Sequence, residues 1–228
     1  MVLDFLAVLD EVESCAGLRA VILTGAGRAF CAGFDLRGYA DDERLAAQGR
    51  IRGLLSRQEE IAGLPVRLHE LAVPVIAAVN GPAAGAGLSL ATACDIRIAA
   101  DGAIFSAAEA LAIGLISSVV PAESLLDSAL AIATSIKQHP PLSVSLTKKG
   151  MWLATETPSL AASIELENRQ QVLSALTEDQ SEAALSFLEK RAPRTPTADS
   201  AVRGRPGVPA LADPGDTEYL FYDTEYRR

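Results

Sequence analysis

Two stretches hold the residues around which chemistry can be built. GAGRAFCAGFDL (25–36) follows directly on RAVILT, and NGPAAGAGLSLA (80–91) follows directly on PVIAAV. Both are rich in Gly and Ala and poor in reactive side chains. Small residues let a ligand approach the main chain closely. A backbone N–H is itself a catalytic group when it points at an oxygen that gains charge in the transition state. One N–H from each loop, converging on a carbonyl oxygen, would stabilise an enolate or a tetrahedral oxyanion. The glycine spacing alone fits two tight turns equally well.

Three other chemistries are tested by the same residues. GAGRAF begins G-x-G, but Phe30 stands where a dinucleotide fingerprint needs its third glycine, and the loop runs on into CAGFDL instead of opening a helix. Neither loop carries the Lys-Ser or Lys-Thr of a P-loop. GLSLA (87–91) approaches G-x-S-x-G with Ala91 in the last place, and His139 and Asp95 would complete a serine-hydrolase triad with Ser89. The spacing from Val79 puts Ser89 inside a helix and not on a strand-to-helix elbow, where it reads as a small packing residue.

The elements that must position these loops are legible from periodicity. VLDFLAVLDEVES has apolar residues at helical spacing. RAVILT (19–24), PVIAAVN (74–80) and DIRIAA (95–100) are short apolar runs bounded by turn residues and predict buried strands. Residues 41 to 63 mix acids, arginines and leucines at helical spacing, with Asp41 or Asp42 as N-cap, and LSLATAC predicts a small-residue helix. Strand, glycine loop and helix in alternation give an α/β class. After Phe105 a series of amphipathic stretches predicts helices whose apolar stripes serve the core or subunit packing. From Ala192 the character changes. Residues 193–228 contain Pro193, Pro196, Pro206, Pro209 and Pro214 and read as a Pro-rich disordered tail, with TEYLFYDTEYRR as an aromatic end that either docks or stays disordered, the second being the plainer reading. The organisation expected is one domain over 1–192 followed by that tail.

Composition narrows the partners. The chain has 228 residues, 49% hydrophobic, with 20 Lys+Arg against 29 Asp+Glu and a formal charge of −9. No basic run suggests nucleic acid, and an anionic ligand would need local donors. Cys15, Cys31 and Cys94 are odd in number and scattered, which argues against a disulfide framework and fits a reducing, cytoplasmic compartment. No Cys/His spacing suggests a metal site, no apolar run is long enough to span a bilayer, and the acidic N-terminus is unlike a secretory leader.

GAGRAFCAGFDL and PVIAAVNGPAAGAGLSLATACDIRIAA, followed by IGLISSVVPAESLLDSALAIA, resemble the crotonase family of enoyl-CoA hydratases and isomerases, over residues 1 to about 192. The resemblance implies a crotonase-like α/β spiral of ββα units whose C-terminal helices assemble homo-trimers or hexamers. It implies an acyl-CoA substrate of fatty acid metabolism, with coenzyme A part of the substrate and no separate cofactor. The oxyanion donors would be the backbone N–H groups of Phe34 and Ala86. Ala32, Gly33, Phe34, Asp35 and Leu36, with Gly85 and Ala86, would bind the substrate, Asp35 by supporting its loop.

The sequence departs from the family pattern in three places. Ser89 stands where hydratases carry the first of two catalytic glutamates, and a hydroxyl cannot serve as a base at neutral pH. FSAAEALAIGL joins directly two segments that relatives separate by a few dozen residues. Glu109 therefore aligns two ways: as the second catalytic glutamate, or as a surface residue of a later helix. The family's opening strand and its CoA-contacting turn are not in this sequence, which starts in the helix before RAVILT and would leave a sheet edge open. Two functions from different classes remain: an enoyl-CoA hydratase-like lyase using Glu109 or an unidentified group, and an acyl-CoA-binding or assembly subunit without turnover, or a chain with no function. The serine hydrolase built on Ser89 is a third. Gly85→Val is expected to abolish CoA binding by blocking close approach to its loop.

Overall fold

The computed structural model describes residues 2–15, 17–33, 49–103, 107–191, 193 and 217–222. In chain order the elements are α1 (Val2–Ser14), β1 (Ala20–Gly25), α2 (Arg50–Glu70), β2 (Val75–Val79), α3 (Ala86–Ala93), β3 (Ile96–Ala100), α4 (Ala107–Ala112) and β4 (Ser118–Val120). A 3₁₀ turn at Ala122–Ser124 leads into α5 (Leu125–Lys137). Then come α6 (Pro141–Glu156), α7 (Leu160–Ala175), α8 (Glu178–Leu188) and β5 (Thr217–Tyr222).

The five strands form one sheet in the order β4-β3-β2-β1-β5, every neighbouring pair parallel. A parallel sheet needs cover on both faces, which is why its strands are continuous apolar runs and not alternating ones. β1 and β2 are buried at every position. The two faces divide by the strand period of two. Val21, Leu23, Val75, Ala77 and Val79 face Phe5, Leu9 and Val12 of α1, Leu64 and Leu68 of α2 and Leu90 of α3. Ala20, Ile22, Ile76, Ala78 and Ile98 face Leu125, Ala129 and Ala133 of α5. The small residues on α5 let it lie close to the sheet.

The α/β class and the three predicted strands hold, each within a residue of its predicted bounds. α2 departs from the prediction. Its N-cap candidates Asp41 and Asp42 lie outside the described residues, and at the other end it runs past Gly63 and through Pro65 to Glu70. Buried Ile61, Leu64 and Leu68 carry the apolar stripe across that Gly-Leu-Pro step, so packing overrides the local break signal. β4 was not foreseen, since three residues are too few to show a period. The larger difference is in the tail: residues 217–222, read as part of a disordered end, form β5 and pair with β1 from Ala20↔Thr217 to Gly25↔Tyr222. No helix among the described residues is long and apolar enough to cross a membrane.

Candidate active site

Both glycine loops leave the carboxyl ends of adjacent parallel strands, the position where open α/β sheets bind ligands. They are zipped to each other. Phe30 N and Cys31 N both donate to the Pro82 carbonyl (3.0 and 3.2 Å), and Ala84 N donates to the Cys31 carbonyl (3.0 Å). The Cys31↔Ala83 pair forms an isolated parallel bridge. Glycine is required where the loops touch. A Cβ at Gly87 would stand 2.0 Å from the Cys31 carbonyl oxygen.

Asn80 fixes the base of the first loop. Its Oδ1 accepts from Gly25 N at 3.0 Å, and its Nδ2 donates to the carbonyls of Gly25 (3.1 Å) and Gly27 (2.9 Å). One planar amide thus satisfies three main-chain groups across the loop mouth. Asn80 was not singled out from the sequence. Its signal was a short amide placed between a buried strand and Gly-Pro, a turn marker with no indication of what it would grip.

Ala86 opens α3 after Gly85, which has φ +53°, a left-handed value that favours glycine. The next donors are satisfied locally, Gly87 N by the Ala84 carbonyl (2.9 Å) and Ser89 N by the Gly85 carbonyl (3.1 Å). The Ala86 N–H, in the first turn, has no backbone acceptor among the described residues. Gly33 closes on it from the other loop. At φ +92°, a Cβ on Gly33 would lie 3.0 Å from the Ala84 carbonyl oxygen and 3.9 Å from the Ala86 nitrogen. An unpaired N–H at a helix start, with small residues around it, can receive an oxygen that carries negative charge.

Gly33 and Ala86 both line a cavity of about 370 Å³, together with Cys31, Ser89 and Leu90. Its far wall is α2, through Gln58, Ile61, Ala62, Leu64 and Pro65, and Val2 of α1 adds an apolar edge. Among the described lining residues none is Asp, Glu or His. The polar side chains are Ser89 and Gln58, neither a base at neutral pH. Burial pushes the Cys31 thiol up, which disfavours the nucleophilic thiolate, and a backbone hydrogen bond from Gly33 opposes this only in part. Cys94 is fully buried, its thiol pushed up to about 12 by desolvation, with Sγ donating to the Leu90 carbonyl at 3.3 Å.

The sequence-predicted residues divide three ways. Gly33 and Ala86 meet at the cavity. Ala32 and Gly85 sit beside them, exposed and outside its lining. Phe34, Asp35 and Leu36 lie outside the described residues, and Glu109 falls in α4 with its side chain likewise outside them.

The serine triad is not assembled. Ser89 sits within α3, its hydroxyl directed at the Gly85 carbonyl (3.4 Å). Both oxygens of Asp95 are engaged elsewhere, Oδ2 by Val75 N (2.7 Å) and the Lys148 ammonium (2.9 Å), and Oδ1 by Trp152 Nε1 (2.7 Å). His139 lies beyond α5, where its carbonyl accepts from the Arg19 guanidinium.

Comparison with known proteins gives the family and the fold. The sequence model of the enoyl-CoA hydratase/isomerase family matches residues 1–110 and 102–196. The two stretches overlap at 102–110, the segment containing Glu109 that aligns two ways. The chain is 34% identical over 227 residues to a short-chain-enoyl-CoA hydratase of Clostridium acetobutylicum, covering 81% of this chain and 82% of that one. It is 33% identical over 225 residues to the 1,2-epoxyphenylacetyl-CoA isomerase of Escherichia coli, covering 82% and 84%. Among solved structures, an enoyl-CoA hydratase from Bacillus anthracis superimposes with a TM-score of 0.71 at 28% identity, covering 84% of this chain and 86% of that one.

Proposed function

The chain belongs to the enoyl-CoA hydratase/isomerase family, and from that premise we propose that it binds an acyl-CoA thioester with the carbonyl oxygen held between the Ala86 and Phe34 N–H groups. The observation that carries this reading is the Ala86 N–H at the helix start, without a backbone acceptor among the described residues, with Gly33 beside it at the wall of an apolar cavity. Two amide donors on a thioester oxygen lower the energy of the enolate form, so the carbonyl draws electron density from the β-carbon. The acyl chain lies against Ile61, Leu64 and Leu90, and coenzyme A comes with the substrate, so no further cofactor is needed. Hydration then adds hydroxide to the β-carbon and a proton to the α-carbon. Neither Ser89 nor Gln58 can act as the acid/base group, and the resemblance offers Glu109 for that part, or else a group not yet identified. The three free cysteines fit a reducing, cytoplasmic setting.

One observation favours a second reading. The cavity lining described contains no carboxylate, as expected of a subunit that binds acyl-CoA without turning it over. One experiment divides the two. Loss of the enoyl-thioester absorbance is followed with a short enoyl-CoA and the folded protein, beside acyl-CoA binding by calorimetry. Turnover that falls at least a hundredfold in Glu109→Gln, with binding retained, supports the lyase. Binding without turnover in the unsubstituted protein supports the second reading, and absence of binding in a folded Gly85→Val variant supports the loop assignment common to both.

A further inference from the structure

The edge of the sheet beside β1 is where an unassigned interaction is built. β1 is buried along its whole length, Ala20, Val21 and Ile22 at 0% exposure and Leu23 at 1%. On one side it pairs with β2 from Val21↔Val75 to Thr24↔Ala78. Its other side would present a row of main-chain donors and acceptors on an apolar strand, the arrangement most prone to pair with a foreign chain. That side is taken by β5, in parallel register over all six residues of β1. The composition of TEYLFY suits an added strand. Thr, Tyr and Phe favour a pleated, half-buried strand, and Asp216 and Asp223 bracket the segment with charge.

We propose that the β1 edge is a strand-acceptor site whose dedicated ligand is the C-terminal hexapeptide 217–222 of the same chain, tethered by the Pro-rich segment before it. Reach permits this. The 24 steps from Pro193 to Thr217 span roughly 80 Å when extended, well beyond a small domain's diameter of about 30 Å. Tethering favours the chain's own strand over that of a second copy. A linker of this kind gives an effective concentration on the order of millimolar, far above the micromolar concentrations at which such a protein is handled. The recognition is β-augmentation, with affinity from main-chain hydrogen bonds along one edge. The ladder ends at Gly25↔Tyr222, at the root of the glycine loop that Asn80 grips from the other side. The strand therefore closes the sheet edge and clamps the loop base.

Hydrogen exchange read by mass spectrometry tests this on the full chain. Amides of 217–222 are expected to exchange at least tenfold more slowly than those of 194–216, a comparison that needs no variant. Exchange of 217–222 at the rate of an unstructured peptide overturns the proposal. A parallel strand turns alternate amides toward each neighbour, so a full-length Tyr219→Pro/Leu220→Pro variant breaks the ladder whichever parity β5 uses. Its peptides covering 20–25 are expected to lose protection at about half their amides while those covering 75–79 keep theirs. Excess synthetic peptide of sequence 213–226 is expected to restore the loss. Unchanged protection of 20–25 in that variant overturns the acceptor site. Protection of 217–222 in the unsubstituted protein that vanishes on dilution overturns the intramolecular assignment in favour of a strand donated by a second copy.

Discussion

Gly87 shows how much the site depends on an atom that is absent. A methyl group there would overlap the Cys31 carbonyl at 2.0 Å, and that carbonyl is itself held by Ala84 N. The obstruction is main chain, so it cannot swing aside as a flexible side chain would. Gly87→Ala is expected to cost about 3 kcal/mol, as overpacking does. It is also expected to weaken acyl-CoA binding at least tenfold by parting the two loops. Thermal unfolding and calorimetric titration check the two effects. Gly85 is different: no atom lies within 4 Å of a Cβ there, so its demand is the left-handed backbone. Gly85→Val is thus expected to add backbone strain, of order 1–3 kcal/mol, to the block on ligand approach anticipated for it. Glycine-rich spacing announces such loops in the sequence. Which glycine is needed for contact and which for φ depends on a partner strand fifty residues away.

At the scale of elements, α6 is bolted to the sheet by one buried polar cluster. The Lys148 ammonium, its side chain 3% exposed, meets Asp95 at the start of β3 and donates to the Leu68 and Val73 carbonyls around the end of α2 (2.8 and 2.9 Å). Trp152, one turn on, donates to Asp95 and stacks on His69 with ring centroids 3.6 Å apart. Breaking a buried ion pair strands the remaining charge. Lys148→Met is expected to lower stability by about 3 kcal/mol, with part of that recovered in Lys148→Met/Asp95→Asn, as read by denaturant unfolding. His69 makes stability depend on pH. Its Nε2 is buried without a hydrogen-bond partner among the described residues. Burial lowers its pKa from 6.5, with Asp95 and Glu156 raising it and Lys148 lowering it further. Below 6.5 the unfolded chain takes up a proton that the folded one refuses until a lower pH, so stability is full above that window and falls as pH drops through it. Melting temperatures from pH 7 to 5 are expected to fall less steeply in His69→Phe, which keeps the stacking but has nothing to protonate. In the sequence, Lys148 appears as one of two adjacent lysines on an amphipathic helix, with nothing to mark it as the buried one.

At the scale of the whole molecule, the C-terminal helices carry an apolar surface that the chain does not cover with its own described residues. Leu160 is 77% exposed, Leu176 79%, Phe187 84% and Leu188 76%. The family resemblance implies a trimer or hexamer, and we propose that copies of this chain cover the surface there, each Å² of apolar area buried contributing roughly 25 cal/mol. Light scattering coupled to size exclusion is expected to give a trimer or a multiple of it, and Phe187→Glu/Leu176→Glu is expected to shift the mass to the monomer. A monomeric unsubstituted protein would rule this out.

The sequence by itself determined the α/β class, the three main strands and the two loops, because each is encoded locally by apolar runs and the glycines that end them. It also determined the family, since GAGRAFCAGFDL and NGPAAGAGLSLA stand in order and resemble its motifs apart from Ser89. Only the tertiary structure decided that the two loops zip together, that Asn80 holds one of them, and that Asp95 serves Lys148 and Trp152 instead of His139. It alone decided that six residues near the C-terminus complete the sheet beside a strand near the N-terminus. Those outcomes rest on pairings between residues far apart in sequence. Hydrophobic period and turn chemistry report on a residue's neighbours along the chain, and a strand's partner is chosen by which edge is left open once the rest has packed.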